Sequence, residues 1–442
     1  MRQPDGKGER IFMERTYQVR PLKKKGMFRV GVPGSKSMTN RALLLAALSD
    51  GTCTLEGVLF SEDSRVFLQC LENMGFQLEI EEDDKCVTIH GTGGKIPNPQ
   101  AEIDVGSAGT AARFLTVMLA FAGGDYEIRS SEQMAKRPME PLLSVLEQGG
   151  AEIEYHGEKG HFPFTLHAHD VVFSEVTIDT SVSSQFASAL LMAAVLLPEG
   201  LHVRMTGNRT EGSYIRMTTA MMEQFGFRIQ REGNDYDIEG GQRVRKERYV
   251  VEPDVSGAAY FYSLAPLLGV DVLVHRVHAD SLQGDMKYVG LLGELGCILE
   301  DTPDGLIVRG SGITHYPGLH VNMRDFSDQT MTLAALAVYA DSVTEIVGIG
   351  HIRKQESDRM AAILCELTRM GIRCEEIPED EGIRIYPGQP QPAIVSTYHD
   401  HRMAMSFSLI GLRTEGIVID NPGCCKKTFE NYFDVLDTLY RE

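Results

Sequence analysis

Leu71-Glu72-Asn73-Met74-Gly75-Phe76-Gln77-Leu78-Glu79-Ile80 reads as the end of an amphipathic helix, a glycine that closes it and a strand of alternating polarity. The same phrase returns as LEQGGAEIEY at 146–155, MEQFGFRIQR at 222–231, LGELGCILED at 292–301 and LTRMGIRCEE at 367–376. The glycines concerned, Gly75, Gly150, Gly226, Gly296 and Gly371, lie 75, 76, 70 and 75 residues apart. Unrelated helix ends would not keep such an interval, so the chain is read as repeats of one α/β unit. Each glycine suits the left-handed position just past a helix. A second short strand follows each copy; Leu306–Val308 is set off from Cys297–Glu300 by the polar turn Thr302-Pro303-Asp304-Gly305.

The next glycine of the series would fall beyond Glu442, so a sixth unit is cut short. Its helix is read at Tyr432–Tyr440. Its hairpin is expected from Tyr17–Pro21 and Met27–Val32, two short strands around a Lys-Lys-Lys-Gly turn. Six units imply an α/β (α+β) protein of two pseudo-symmetric domains. One is expected to be discontinuous, 1–33 with 253–442, and the other to be the inserted 34–252. The chain would cross near Pro33-Gly34 and near Glu252-Pro253, where turn residues interrupt strand-like runs. Ligands commonly bind in the cleft between such halves.

Composition narrows the partner classes. With 442 residues, 43% hydrophobic and 24% charged, the chain has the make-up of an ordinary globular protein. Its 43 Lys and Arg against 62 Asp and Glu give a net charge of −19, which at long range repels phosphate backbones and anionic membranes. Neither a nucleic acid nor a membrane is therefore an expected partner. The eight cysteines form no C-x-x-C pair and are read as reduced thiols in a cytoplasmic protein. The first 25 residues are basic but have no apolar core and no serine, so neither a secretory signal nor a transit peptide fits, and Met13 is an alternative start. The longest apolar stretch, Phe186–Leu197, falls short of the roughly 20 residues of a membrane-spanning helix.

Several segments carry chemistry. Val32-Pro33-Gly34-Ser35-Lys36-Ser37-Met38-Thr39-Asn40-Arg41 joins a strand, a turn and a helix start, placing backbone N–H groups, hydroxyls and two cations together, as an anion site requires. A serine cap with solvated cations is the competing reading. Asp104-Val105-Gly106-Ser107-Ala108-Gly109-Thr110-Ala111-Ala112-Arg113 is a second small-residue helix entrance, suited to close backbone approach or to tight packing. Lys136-Arg137 precedes Pro138, a good first helical residue. Ser181-Val182-Ser183-Ser184-Gln185 offers more hydroxyls than one helix cap uses. In Arg353-Lys354-Gln355-Glu356-Ser357-Asp358-Arg359, Glu356 and Arg359 stand at i, i+3, the spacing of an intrahelical ion pair. Asp400-His401-Arg402 before an apolar run reads as a capping network, with His401 a hydrogen-bonded structural histidine, and Lys426-Lys427 follows.

In order and content these segments resemble the 3-phosphoshikimate 1-carboxyvinyltransferase (5-enolpyruvylshikimate-3-phosphate synthase) family from about Val30 to Phe433. The most specific motifs are P-G-S-K-S-x-T-N-R-A-L and D-H-R-M-A-M. The resemblance implies two domains, each of three βαβαββ units, with the active site in the interdomain cleft. It implies transfer of the enolpyruvyl group of phosphoenolpyruvate to the 5-hydroxyl of shikimate 3-phosphate with release of phosphate, by addition and elimination through a tetrahedral intermediate. No metal or organic cofactor is implied. By motif position Lys36, Gly109, Arg137, Gln185, Arg359, Arg402 and Lys427 would bind phosphoenolpyruvate. Lys36, Ser37, Arg41, Ser183, Ser184, Gln185 and Asp328 would bind shikimate 3-phosphate, with Arg113 supporting the cationic set. Asp328 would be the base at the acceptor hydroxyl, and Glu356 with Lys427 would move protons at the methylene carbon. Gln355, His351 and Glu211 depart from the family's usual Lys, Asn and Ser, and all three bear on the acceptor. Ser107 and Glu430 are milder departures.

Three alternatives stand beside this reading. A related transferase acting on a UDP-sugar would carry a cysteine within Ser130–Arg137, and none lies there. A diverged transferase with another cyclic alcohol acceptor and a non-catalytic anion-binding homologue complete the set. A monomer is expected.

Overall fold

The computed structural model describes residues 16–23, 25–169, 171–207 and 210–441; Met13 and Lys24 of the lysine turn lie outside them. The chain divides into two compact units, Gly34–Glu252 and Met1–Pro33 with Pro253–Glu442. Each unit ties its own ends together beside the crossings. Ser35 N donates to Glu252 O at 2.8 Å in the first, and Asp254 N donates to Pro33 O at 2.7 Å in the second.

Among the described residues the 34–252 unit holds three sheets of one design. Gln100–Asp104 runs parallel to Gly124–Arg129, which is antiparallel to Phe164–Ala168, which pairs in turn with Glu152–Tyr155. The same order of pairing links Glu175–Asp179, Leu201–Thr206, Asp235–Ile238 and Ile229–Glu232. It recurs through Arg248–Val250, Asp50–Glu56, Cys86–Thr92 and Gln77–Glu81. The other unit repeats it through Met27–Val30, Asp271–His275, Gly305–Arg309 and Ile298–Thr302, then through His320–Asn322, Thr344–Val347, Gly382–Ile385 and Cys374–Ile377. Its last sheet has three strands, Ala393–Val395, Ile417–Asp420 and Thr16–Gln18.

The N-terminal segments thus do not form the missing hairpin together. Thr16–Gln18 completes the sixth sheet, whereas Met27–Val30 runs parallel to Asp271–His275 in another sheet. The reason is topological: the first strand of each unit's opening sheet comes from the chain just ahead of a crossing, Met27–Val30 before Pro33 and Arg248–Val250 before Glu252. The last helix ends at Thr438, two residues short of the expected Tyr440.

All five repeat glycines have positive φ, between 78° and 103°, as helix-closing residues in the left-handed region do. Gly34, in the first motif, has a different reason to be glycine: a Cβ there would lie 1.9 Å from the Gly57 carbonyl oxygen.

Two kinds of helix fill the units. In the 34–252 unit, α1 (Lys36–Leu48), α2 (Gly109–Ala122) and α3 (Ser184–Ala193) are covered on almost every side, while α4 (Ser213–Phe225) is amphipathic. In the other unit α5 (Val255–Tyr262), α6 (Thr330–Ala337) and α8 (His401–Gly411) are the covered ones, and α7 (Arg359–Arg369) is amphipathic. Apolar residues all round a helix require packing on every side. Leu43, Leu44 and Leu45 of α1, consecutive and fully buried, meet that condition. Each contributes about 1.5–3 kcal/mol. Among the described residues, polar side chains buried in these bundles mostly pair there, as Thr218 does with Ser188 and Thr332 with Ser406.

The glycine reading predicts opposite outcomes at two sites. Gly226→Ala, at φ 103° with no atom nearer than 3.9 Å to the new Cβ, should cost about 1 kcal/mol through backbone conformation alone. Gly290→Ala, inside Met286–Leu291 with open space around it, should stabilise by about 0.5–1 kcal/mol. Thermal denaturation of the two variants checks the pair.

Candidate active site

Three covered helices of the 34–252 unit begin with the motif residues. Lys36 opens α1 and lies 3.4 Å from Asp63. One turn on, the Asn40 amide donates to the Thr110 hydroxyl, joining α1 to the start of α2. Gly109 opens α2, and a Cβ on it would stand 2.8 Å from Arg113 Nη1, 3.2 Å from Arg137 Nη1 and 3.6 Å from Gln185 Oε1. The absent side chain is therefore what lets two guanidiniums and an amide meet the backbone. Ser183 caps α3 by accepting from Gln185 N at 3.2 Å, and Ser184 is its first residue.

Three guanidiniums of this unit stand apart from its acids. Among the described residues no carboxylate pairs with Arg41, Arg113 or Arg137. Burial pushes the Arg113 guanidinium down to about 9, helped by the Arg137 charge. Burial likewise pushes Arg41 down to about 10. A buried cation with a second cation beside it forms a place where an anion is worth more than in water.

Arg41 is not turned toward that cluster. It is 1% exposed and spends its donors on Thr218 Oγ1 at 2.7 Å, Ser37 O at 2.9 Å, Ser188 Oγ at 3.2 Å and Tyr214 O at 3.3 Å. It clamps α1 to α3 and α4. Of the departures from the family pattern, Glu211 pairs with Arg231.

The other unit gathers acids and cations in alternation. Asp328 accepts from Arg359 Nη1 on one oxygen and from Arg402 Nη2 on the other, each at 2.9 Å. Arg359, 3% exposed in its side chain, also donates to Asp400 at 2.8 Å and to the Gln355 amide oxygen. Asp400 caps α8 by accepting from Arg402 N at 3.0 Å and also takes the Ser357 hydroxyl. Burial works against the charge of Asp400 and of Arg359, but their mutual attraction wins. The Asp400 carboxyl is held below, and the Arg359 guanidinium above, its ordinary range. Glu356 lies between Lys427 Nζ at 3.1 Å and His401 Nδ1 at 3.1 Å. Burial lowers the His401 pKa, keeping the ring neutral although Glu356 pulls the other way.

Beneath Asp328 runs a buried chain of hydrogen bonds. Asp285 accepts from Ser256 of α5 and from Gln329 Nε2 at 3.1 Å; Gln329 Oε1 accepts from Thr332 of α6 at 2.8 Å, and Thr332 lies 3.1 Å from Ser406 of α8. Burial, reinforced by the Asp328 charge, raises the Asp285 carboxyl. His351 Nε2 lies 2.7 Å from Ser327 Oγ.

The structure therefore brings Gly109, Arg113, Arg137 and Gln185 together in one unit and Asp328, Glu356, Arg359, Arg402 and Lys427 in the other. Lys36 pairs with Asp63, and its helix is bonded to the start of α2 by Asn40 and Thr110. Sequence reading missed Asp63, Asp285, Gln329 and Asn40. Asp63 carries a signal, the helix-opening run Ser61-Glu62-Asp63-Ser64, with Ser61 as cap. Gln283-Gly284-Asp285 carries none. The capping reading of Asp400 holds, and the residue also anchors Arg359.

The family model that matches residues 24–436 describes EPSP synthase (3-phosphoshikimate 1-carboxyvinyltransferase). A relative from Nostoc punctiforme named 3-phosphoshikimate 1-carboxyvinyltransferase is 40% identical over 419 residues, 95% of this chain and 97% of the relative. One from Halalkalibacterium halodurans, named 3-phosphoshikimate 1-carboxyvinyltransferase 2, is 34% identical over 434 residues, 96% and 94% of the two chains. Among solved structures, EPSP synthase of Acinetobacter baumannii superposes with a TM-score of 0.81 at 28% identity, covering 96% of this chain and 98% of that one.

The neutral His401 sets a pH dependence with a definite sign. Its folded pKa is depressed, so below the unfolded value of about 6.5 the unfolded chain binds the extra proton and stability falls with pH. Asp400 acts in the same direction, but only below about pH 4. The melting temperature should therefore drop between neutral pH and pH 5.5, and His401→Gln should flatten that part of the profile. An unchanged slope in the variant would assign the drop to another group.

Proposed function

The chain belongs to the EPSP synthase (3-phosphoshikimate 1-carboxyvinyltransferase) family, and from that premise we propose how its own side chains carry the family's reaction. The enolpyruvyl group of phosphoenolpyruvate passes to the 5-hydroxyl of shikimate 3-phosphate and phosphate leaves, a step of the shikimate pathway toward aromatic amino acids.

Both substrates are anions, and the residues divide accordingly. Lys36, Arg137, Arg359, Arg402 and Lys427 hold the carboxylate and phosphate of phosphoenolpyruvate, with close approach at Gly109 and the Gln185 amide beside it. Bidentate guanidiniums suit both groups. Lys36, Ser37, Ser183, Ser184 and Gln185 hold shikimate 3-phosphate. Arg41 serves the same ligand: its bonds run to Thr218, Ser37, Ser188 and Tyr214, and it contributes charge and the position of Ser37, whose carbonyl it bonds. Arg113 adds its charge behind Gly109.

Asp328 takes the proton of the acceptor hydroxyl as the oxygen bonds to C2 of phosphoenolpyruvate. Glu356, backed by Lys427, delivers a proton to C3, giving a tetrahedral adduct. In the second half Glu356 or Lys427 removes a proton from C3 as the C2–O bond to phosphate breaks and the double bond returns. The observation that supports these roles is the pairing itself. Asp328 lies between two guanidiniums, which favour its ionised, proton-accepting form, and Glu356 lies between a neutral imidazole and an ammonium that compensates the charge left when it gives up its proton. The cytoplasmic location and monomeric state read from the sequence belong to the same proposal.

A second reading, another cyclic alcohol as acceptor, is favoured by Gln355, His351 and Glu211, whose side chains are engaged by Arg359, Ser327 and Arg231. Phosphate release from phosphoenolpyruvate should depend strictly on shikimate 3-phosphate. Asp328→Asn should lower kcat about 100- to 10,000-fold while phosphoenolpyruvate still binds. Absence of turnover with retained donor binding would favour the second reading, and an intact rate in Asp328→Asn would overturn the choice of base.

A further inference from the structure

Asp125, His167 and His169 meet on the solvent face of the sheet that contains Gly124–Arg129 and Phe164–Ala168, and none of the three is among the residues assigned to the reaction. Asp125 stands directly opposite His167 in the antiparallel register. His169 lies two residues further on, and alternation along an extended chain returns it to the same face. The geometry follows from that register. His167 Nδ1 is 2.6 Å, and His169 Nε2 2.9 Å, from the same oxygen of Asp125, and the three donor atoms lie within 4.8 Å of one another.

We propose that Asp125, His167 and His169 form a binding site for a late first-row divalent cation such as Zn2+. Two imidazoles and one carboxylate are the donor set that such ions prefer over Mg2+ or Ca2+, which favour oxygen. The Asp125 carboxyl is held below its usual range, first by the hydrogen bond from His167, and so is an ionised ligand at neutral pH. Side-chain exposures of 32% for Asp125, 37% for His167 and 61% for His169 leave room for water to complete a coordination shell. Glu152, exposed and opposite His167 on its other side, adds negative charge beside the site. Arg129, on the same strand face, is already paired with Glu127 and Glu102.

Two other groups show what sets this one apart. Glu356, Asp400 and His401 also converge, but Lys427 and Arg359 occupy the carboxylates and repel a cation. His202 lies 2.7 Å from Asp237 and 3.3 Å from Asp235, offering a single imidazole. A metal ion and protons compete for the same nitrogen and oxygen atoms, so affinity should fall in acid.

Titration of the full chain with Zn2+ at pH 7.5, followed by calorimetry and melting temperature, tests the proposal. One equivalent should bind with a dissociation constant on the order of micromolar. The melting temperature should rise, and both effects should weaken at pH 6. The double variant His167→Ala, His169→Ala should lose both responses while keeping the metal-free melting profile and the enolpyruvyl transfer rate. His202→Ala should retain both. Co2+ should bind without a thiolate-to-metal absorption band, which separates this site from cysteine ligation. Equal Zn2+ binding in the double variant, no binding in the parent chain, or a thiolate band would each overturn it. If the double variant melts lower without metal, the single variants His167→Gln and His169→Gln must each weaken Zn2+ binding for the proposal to stand.

Discussion

Asp328 takes a guanidinium on each of its oxygens, and much of the unit around it is arranged to make that possible. Arg359 reaches it from α7 and Arg402 from α8, both at 2.9 Å. Two cations this close repel each other unless acids separate them. Asp400 supplies the second acid: it holds Arg359 from the far side and caps the helix that carries Arg402. Removing one member of such a buried set leaves an uncompensated charge, at a cost of about 3–5 kcal/mol. The arrangement therefore fixes the relative placement of three helices as well as the charge of the acid. The chain from Ser256 through Asp285, Gln329 and Thr332 to Ser406 ties α5, α6 and α8 from beneath with neutral donors and a carboxyl that burial raises.

The two units are alike in topology and opposite in electrostatics. Both place three covered helices inside and repeat one pairing order in the sheets. In 34–252 the guanidiniums of Arg41, Arg113 and Arg137 have hydroxyl, carbonyl or sulfur partners and no acid. In the other unit the motif cations Arg359, Arg402 and Lys427 face Asp328, Asp400 or Glu356. The first arrangement favours a bound anion; the second keeps its acids beside cations that compensate their negative charge. A net charge of −19 over the chain does not oppose anion binding when the local surroundings differ this much.

Much of this was legible in the sequence because it is local. The glycine that closes each repeat helix needs a positive φ, and that demand is visible at a regular interval. The motif cations and Asp328 stand where a helix start or a short turn puts them. What escaped the sequence is set by partners distant along the chain. Met27–Val30 has a strand-like pattern, but nothing local says that it pairs with Asp271–His275 instead of with its neighbour. Arg41 follows the first motif as a ligand would, yet Thr218 and Ser188, contributed by α4 and α3, turn it inward. Asp285 belongs to no motif and acquires its place only when Ser256 and Gln329 fold against it.

In the proposed reaction Glu356 delivers the proton to C3 of the enolpyruvyl unit, poised by Lys427 and by the neutral His401. Deuterium exchange tests this most directly. With phosphoenolpyruvate and shikimate 3-phosphate in deuterated water, the parent protein should label the methylene carbon, whereas Glu356→Gln should still bind both substrates and leave it unlabelled. Labelling at the parent rate in Glu356→Gln would contradict the assignment and move the proton transfer to another residue.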